Sequence, residues 1–456
     1  MTQHHPSTTQ QTEQTEQTDE PSAEGATGTD AAPSARRSTG EGDAAPGVPV
    51  GTRAGERGAS AGAESLAESA APVQLDAVEG LGAQGATVTR PATLGEADTP
   101  GQRTAHGDRG TISRTTAPGR PAAPGARGAL APPGALPSPR PLGELRLWPR
   151  SFVDRLTAPL PGIRAFARFA REGALRPRPE DLLDIPRLPF EPGPLPVVDS
   201  RTVALTWAGH ASWVVRIGGL TVLTDPVWSR KILGTPARMT PVGVAWDALP
   251  AVDAVVISHN HYDHLDAPTL ARLPRDTPLF VPAGLARWFR RRRFRRVTEL
   301  DWWEAAELGG VRFDFVPAHH WSKRRLNDTC RSLWGGWVLT DPGGQRVYFA
   351  GDTGYGHWFS RIGHRYPGID LALLPIGAYD PRWWLRDVHC NPEEAVQAAR
   401  DLGARRMVPM HWATFLLSAE PVMEPLTRVR TAWEKSGLPR EDLWDLPVGG
   451  SRVLEV

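Results

Sequence analysis

Short apolar runs with strand-like alternation begin at Val203 and recur to the end of the chain. Val203-Ala204-Leu205-Thr206-Trp207, Ser212-Trp213-Val214-Val215-Arg216-Ile217 and Leu220-Thr221-Val222-Leu223-Thr224 follow one another, with Gly209 and Gly218-Gly219 between them. This pattern predicts a meander of three strands. Later β-rich runs are Ala254-Val255-Val256-Ile257, Arg312-Phe313-Asp314-Phe315-Val316, Val347-Tyr348-Phe349-Ala350 and Leu371-Ala372-Leu373-Leu374. They alternate with helix-like stretches near Pro392 to Leu402 and Glu424 to Lys435, so residues 199–456 are expected to form one α/β domain of two packed sheets with outer helices.

The front of the chain lacks this texture. Residues 1–147 contain no Phe, Trp or Tyr, whereas all 17 Trp lie from Trp148 onward. Apolar burial is what offsets chain entropy, so residues 1–145 are expected to be a disordered, low-complexity tail. Residues 146–198 are expected to be a partly helical linker, interrupted by prolines including Pro149, Pro159 and Pro179. Within it Ile163, Phe166 and Phe169 recur at helical spacing beside Arg164, Arg168 and Arg171. Such a helix is expected to dock its apolar side on the neighbouring domain, with an anionic membrane surface as the alternative.

Net charge is +1 and only three lysines accompany the many arginines, which argues against a nucleic-acid partner. Cys330 and Cys390 are too few for a disulfide framework, and no run of 18 apolar residues exists. A reducing, cytoplasmic setting is therefore expected, without a membrane span.

Histidine supplies the candidate chemistry. Ser258-His259-Asn260-His261-Tyr262-Asp263-His264-Leu265-Asp266 follows a predicted strand. Alternate residues of an extended segment point the same way, so His259, His261 and Asp263 can converge while His264 swings to a second centre. Imidazole and carboxylate are the ligands of a metal that keeps an open position for water. His319-His320-Trp321 follows the strand ending at Val316, and spacing leaves open which histidine ligates. Asp352 in Ala350-Gly351-Asp352-Thr353-Gly354 has flanking glycines that allow the close approach expected of a bridging carboxylate, with an Asx-turn as the alternative. His411 lies at another strand end.

In order, these pieces resemble the metallo-β-lactamase superfamily. Trp207-Ala208-Gly209-His210-Ala211, Thr224-Asp225-Pro226, Asp301-Trp302-Trp303-Glu304, Gly351-Asp352-Thr353-Gly354-Tyr355 and Pro375-Ile376-Gly377-Ala378-Tyr379 look like the N-acylphosphatidylethanolamine-hydrolysing phospholipase D family. The resemblance implies an αββα four-layer sandwich of two mixed sheets with outer helices. It implies that His259, His261 and His320 hold one metal, that Asp263, His264 and His411 hold the other, and that Asp352 bridges them. Two Zn²⁺ ions are expected, with iron or manganese as alternatives. The implied reaction is phosphodiester hydrolysis of N-acylphosphatidylethanolamine or a related glycerophospholipid by a metal-bridging hydroxide.

Asp263 and His389 are the expected catalytic residues, His389 as proton donor to the leaving alkoxide, or else as a residue that orients a ligand or caps the following helix. Trp303, Trp321, Tyr379 and Trp383 are expected to line the lipid. Peripheral association with the inner face of a membrane is a further expectation. A lactonase or thioesterase on the same metals, or a non-catalytic metal-binding scaffold, are the competing readings.

Overall fold

The computed structural model of the chain describes residues 136–160, 162–172 and 178–455. Up to position 135 the expected tail lies outside the described residues. Residues 136–145, assigned to that tail, are instead tied to the folded domain. The Arg140 N–H reaches the Ala305 carbonyl at 2.6 Å, its guanidinium reaches Glu304 at 2.7 Å, and the Gly143 N–H donates to Thr298 Oγ1 at 3.0 Å. These are backbone and arginine contacts, which an absence of aromatic residues does not reveal.

The linker helix α1 (Ile163–Arg171) and α2 (Pro179–Asp184) precede the sheets. Phe169 of α1 is buried and stacks on Trp384 with ring centroids 5.3 Å apart. The side chains of Ile163 and Phe166 lie outside the described residues. The strands that follow are β1 (Val203–Gly209), β2 (Ser212–Ile217), β3 (Leu220–Thr224), β4 (Ala254–Val256), β5 (Leu279–Pro282), β6 (Val297–Leu300), β7 (Ala305–Leu308), β8 (Val311–Val316), β9 (Gly336–Thr340), β10 (Arg346–Phe349), β11 (Leu371–Pro375), β12 (Arg406–Met410) and β13 (Ser451–Leu454). They form a seven-stranded sheet ordered β13-β1-β2-β3-β4-β5-β6 and a six-stranded sheet ordered β12-β11-β10-β9-β8-β7. Between them run α3 (Ala267–Ala271), α4 (Ala286–Arg290), α5 (Trp358–Arg365), α6 (Arg382–Leu385), α7 (Pro392–Leu402) and α8 (Glu424–Lys435).

Period-two alternation sorts each strand of the larger sheet between two cores. Trp213, Val215 and Ile217 of β2 face the central cluster while Val214 faces the outer one, and Phe280 of β5 parts company with Leu279 and Val281 in the same way. In the centre, Phe280 stacks on Phe313 of β8 at 4.2 Å and 11°, joining the two sheets. Leu270 and Phe289, from α3 and α4, cover the outer face. Phe359, Ala399 and Trp433, from α5, α7 and α8, pack against the smaller sheet. The chain thus has the metallo-β-lactamase layering.

In the larger sheet β3, β4, β5 and β6 run parallel, and in the smaller β10, β11 and β12 do. Loops leaving the carboxyl ends of such strands are where open α/β sheets build their sites. Among the described residues no helix is long and apolar enough to cross a membrane, and both cysteines are free and buried.

Phe313 is fully buried at the junction of the sheets. Phe313→Ala is expected to cost about 3 to 5 kcal/mol of stability, read by urea unfolding. A loss below about 1 kcal/mol would show that the two sheets do not share a packed interior there.

Candidate metal centre

Four strand ends deliver the ligands. The turn after β4 carries His259 to His264, the segment after β8 carries His320, the turn after β10 carries Asp352, and His411 directly follows β12. Gly351 has φ +60, and a Cβ there would stand 2.5 Å from the Ser258 Cβ. Only glycine lets the two loops close on each other. His210 (φ 56), Asp225 (φ 34) and His411 (φ 64) also hold left-handed backbone, a conformation costing on the order of 1–3 kcal/mol per residue and concentrated at functional sites.

The donor atoms gather in two groups. In the first, His259 Nε2 lies 2.9 Å from His261 Nδ1, which lies 3.3 Å from His320 Nε2, and Asp352 Oδ2 is 3.9 and 3.8 Å from the His259 and His320 nitrogens. In the second, His264 Nε2 and His411 Nε2 are 3.2 Å apart. Asp263 Oδ2 is 3.3 and 3.6 Å from them, and Asp352 Oδ1 is 2.9 Å from His411. The donor atoms of His259, His261, His320 and Asp352 lie within 4.8 Å of one another, as do those of His210, Asp263, His264 and His411, and those of Asp352, His389 and His411. Asp352 belongs to the first and the third of these sets.

Far-side hydrogen bonds aim the rings. His320 Nδ1–H donates to the Val388 carbonyl at 3.0 Å, and His264 Nδ1–H donates to Asp225 Oδ2 at 2.7 Å. His259 Nδ1–H donates to Ser258 Oγ at 2.9 Å, and that hydroxyl passes its own proton to Asp225, which also accepts from the Ser258 N–H at 2.7 Å. His259 and His320 therefore turn a bare nitrogen lone pair inward, and the inward nitrogen of His264 presents one once a cation displaces its proton. Lone pairs crowding one another without a proton between them are costly unless a cation accepts them, so the donor set fits divalent metal ions.

Charge divides the two groups. Burial, reinforced by neighbouring imidazoles, holds His259 and His320 well below the ordinary value of 6.5, and burial holds His261 at about 4. Burial would also lower His264 and His411. There the carboxylates of Asp352 and Asp263 win, raising His411 to about 9 and His264 well above 6.5. Both carboxyls are in turn held well below 3.8, because the imidazoles outweigh their burial.

All seven expected ligands meet here, and the geometry selects His320: His319 turns its Nδ1 to Thr157 at 2.8 Å. His389 joins them, buried, with its ring 5.2 Å from His320 and 5.5 Å from His411 and its Nδ1 without a partner. Of the aromatic residues expected to line the substrate, Trp321 meets the centre, its ring edge-on to His261 at 4.9 Å. The others lie elsewhere. Tyr379 turns its hydroxyl to Glu424 at 2.8 Å, Trp303 packs on Trp358, and Trp383 sits beneath Arg168 of α1 at 4.0 Å. A motif specifies which residue follows a strand but not which way its side chain is drawn.

Two further residues carry functional weight. Asp225 sets three hydrogen bonds behind the ligands, and His210 Nε2 lies 3.0 Å from Asp263 Oδ2. The available signal for Asp225 was its place directly after β3, within the family-like Thr224-Asp225-Pro226; Asp352 stands three residues beyond the end of β10. Outside the centre, an open groove of about 760 Å³ is lined by His261, Tyr262, Trp321, Lys323, Arg324, Arg325, Leu326 and Asn327.

Comparison with known proteins adds four findings. Residues 221–412 match the beta-lactamase superfamily domain. The chain is 42% identical to an uncharacterized protein of Mycobacterium tuberculosis H37Rv, over 56% of this chain and 69% of that protein. It is 36% identical to the N-acyl-phosphatidylethanolamine-hydrolyzing phospholipase D 1 of Caenorhabditis elegans, over 53% of this chain and 71% of that protein. Among solved structures, a metallo hydrolase from Ignicoccus hospitalis is similar at 26% identity and a TM-score of 0.44, covering 56% of this chain and 99% of its own.

Asp225→Asn keeps the shape but cannot accept from both Ser258 and His264, so cation affinity is expected to fall about ten- to a hundredfold in chelator competition. Unchanged affinity would contradict the aiming role. In the cation-free protein, protons on His264 and His411 contribute stability that is full below pH 6.5; the His411 part is lost as pH rises through about 9, and the His264 part is lost well above 6.5. Cations must displace those protons, so uptake at pH 7 should release about two per chain, measured by titration calorimetry in buffers of different ionisation enthalpy. Zero release would contradict the charge assignment.

Proposed function

The chain belongs to the metallo-β-lactamase superfamily, in the N-acylphosphatidylethanolamine-hydrolysing phospholipase D family, and from that premise we propose that this metal-dependent hydrolase is a two-zinc phosphodiesterase acting on N-acylated or related glycerophospholipids. The observation that carries the reading is Asp352, whose Oδ2 faces His259 and His320 while its Oδ1 meets His411 at 2.9 Å. A carboxylate placed between the two histidine groups in this way would help to hold two cations side by side. When bound, such cations supply Lewis acidity toward the phosphoryl oxygens and lower the pKa of water to ~7.

The protein's own groups do the rest. His259, His261 and His320 would hold one cation and Asp263, His264 and His411 the other, so the positive charge that would receive the anionic diester is fixed in a buried place. His389, held at about 4 by burial, is neutral at pH 7. It therefore serves by donating an N–H hydrogen bond to the leaving oxygen, not by starting as a charged acid. Trp321 walls the groove beside His261 and gives the acyl-bearing substrate an apolar face. Hydrolysis breaks the bond from phosphorus to the ethanolamide oxygen and yields N-acylethanolamine and phosphatidate.

The purified, zinc-loaded chain is expected to release N-acylethanolamine from N-acylphosphatidylethanolamine, with Asp352→Asn slower by more than about a hundredfold, since even outer-shell partners of a metal site cost ten- to a hundredfold. Turnover of an acyl lactone alone would replace the phospholipase reading with a lactonase. For His389→Ala, kcat should fall at least about a hundredfold, with KM and cation content unchanged. Loss of a cation from that variant would make His389 a ligand and not a donor.

A further inference from the structure

Two anchored loops border the His261 side of the centre and share a pattern. In the first, the Arg238 N–H bonds the Arg230 carbonyl at 2.8 Å and Lys231 pairs with Ala237, leaving Leu233 71% exposed between them. The Arg238 guanidinium secures its base on the carbonyls of Val227 and Ala208. In the second, Leu326 is 97% exposed beside exposed Arg325. Asp328 accepts the N–H groups of Arg324 and Arg325 at 2.8 and 2.7 Å, and the Arg324 side chain donates to the Leu265 carbonyl at 2.6 Å. Tyr262, next to the ligand His261, links the two. It packs with Val227 and Ile232 of the first loop and lies 4.1 Å beneath Arg324 of the second.

A lone exposed leucine needs no explanation. Two of them on rigid loops, each flanked by exposed cations, on the same side of a metal centre, are a different matter. Two acids lie nearby, Asp328, which accepts the N–H groups of Arg324 and Arg325, and Asp266, which accepts from Ser229 and Thr269, and the cations Arg230, Lys231, Lys323, Arg324 and Arg325 outnumber them. Positive charge continues across Trp288, which has Arg324 at 5.5 Å and Arg292 at 3.6 Å, toward exposed Arg291 and Arg293. Leucine side chains suit the boundary of the acyl chains, and cations beside them suit the phosphate level of an anionic leaflet.

Resting on the reading of the chain as a phospholipid hydrolase, we infer that this face docks on an anionic bilayer, with Leu233 and Leu326 entering the interface and Arg230, Lys231 and Arg325 held at the headgroups. Docking in this way turns the groove beside His261 toward the lipid, so that a substrate need not leave the membrane fully to reach the centre.

The test is co-sedimentation of the full, zinc-loaded chain with vesicles of phosphatidylcholine alone or mixed with phosphatidylglycerol, both free of N-acylated lipid. Binding to the mixed vesicles is expected to be at least about tenfold tighter and to weaken with salt. The Leu233→Ser/Leu326→Ser and Lys231→Glu/Arg325→Glu double variants should each lose about tenfold or more while keeping cation content and thermal unfolding. Equal binding to the two vesicles, or variants that bind like the parent, would overturn the assignment. So would light scattering showing that the variants break a dimer while vesicle binding persists, which would give the face to a second copy of the chain. Because these vesicles hold no substrate, binding is read apart from turnover: binding to them by a chain that fails to hydrolyse separately supplied, detergent-dispersed N-acylphosphatidylethanolamine would sink only the phospholipase reading, and hydrolysis of that dispersed lipid without vesicle binding would sink only the docking face.

Discussion

A carboxylate removed from water must be paired, and at Asp352 that requirement organises the molecule. Its side chain is 2% exposed and reaches His264 at 3.1 Å and His411 at 2.9 Å, with His259 and His320 just beyond. Those imidazoles come from β4, β8 and β12, and Asp352 itself from β10, so strands of both sheets must end in register for any of them to be compensated. Sheet packing supplies that register through contacts such as Phe280 on Phe313, and the Trp337 indole N–H, which donates to the Ile257 carbonyl at 3.0 Å, ties β9 to the ligand loop. Removing one member would leave buried charge without a partner, the costly direction for any such network. The site and the sandwich are one construction.

The ligand set was legible because its chemistry is dense: four metal-competent side chains stand within six positions after a strand, and Asp352 follows a strand between glycines. The long helices were legible for a related reason. α7 opens with Asn391, Pro392 and a capping box to Glu394, and ends at Gly403 with φ 62, signals that lie in sequence order. Elements without local signals were not legible. β7 reads Ala-Ala-Glu-Leu, a helix-forming composition, and is a strand because β8 pairs with it. β12 contains Pro409, which is tolerated because β12 is the edge of its sheet.

Side-chain direction was the other hidden quantity. Tyr379 stands in a family-like motif, yet Glu424, distant in sequence, takes its hydroxyl. Trp383 is claimed by Arg168 and Glu172 of the linker helix. Asp225 illustrates the reverse. Its role depends on Ser258 and His264 arriving from another loop, so its place directly after β3 marks it without showing what it holds. The groove outside the centre is likewise a tertiary product, built from the loop after His320 and the turn holding Tyr262. Its cations and exposed leucines give the centre a sided environment that suits a substrate presented by a surface.

The most direct measurement of the central claim is anomalous diffraction from crystals grown with zinc. Two peaks per chain are expected, one enclosed by His259, His261, His320 and Asp352 Oδ2, the other by Asp263, His264, His411 and Asp352 Oδ1. A single peak, or peaks lying away from Asp352, would contradict the shared carboxylate on which the proposed two-metal centre rests.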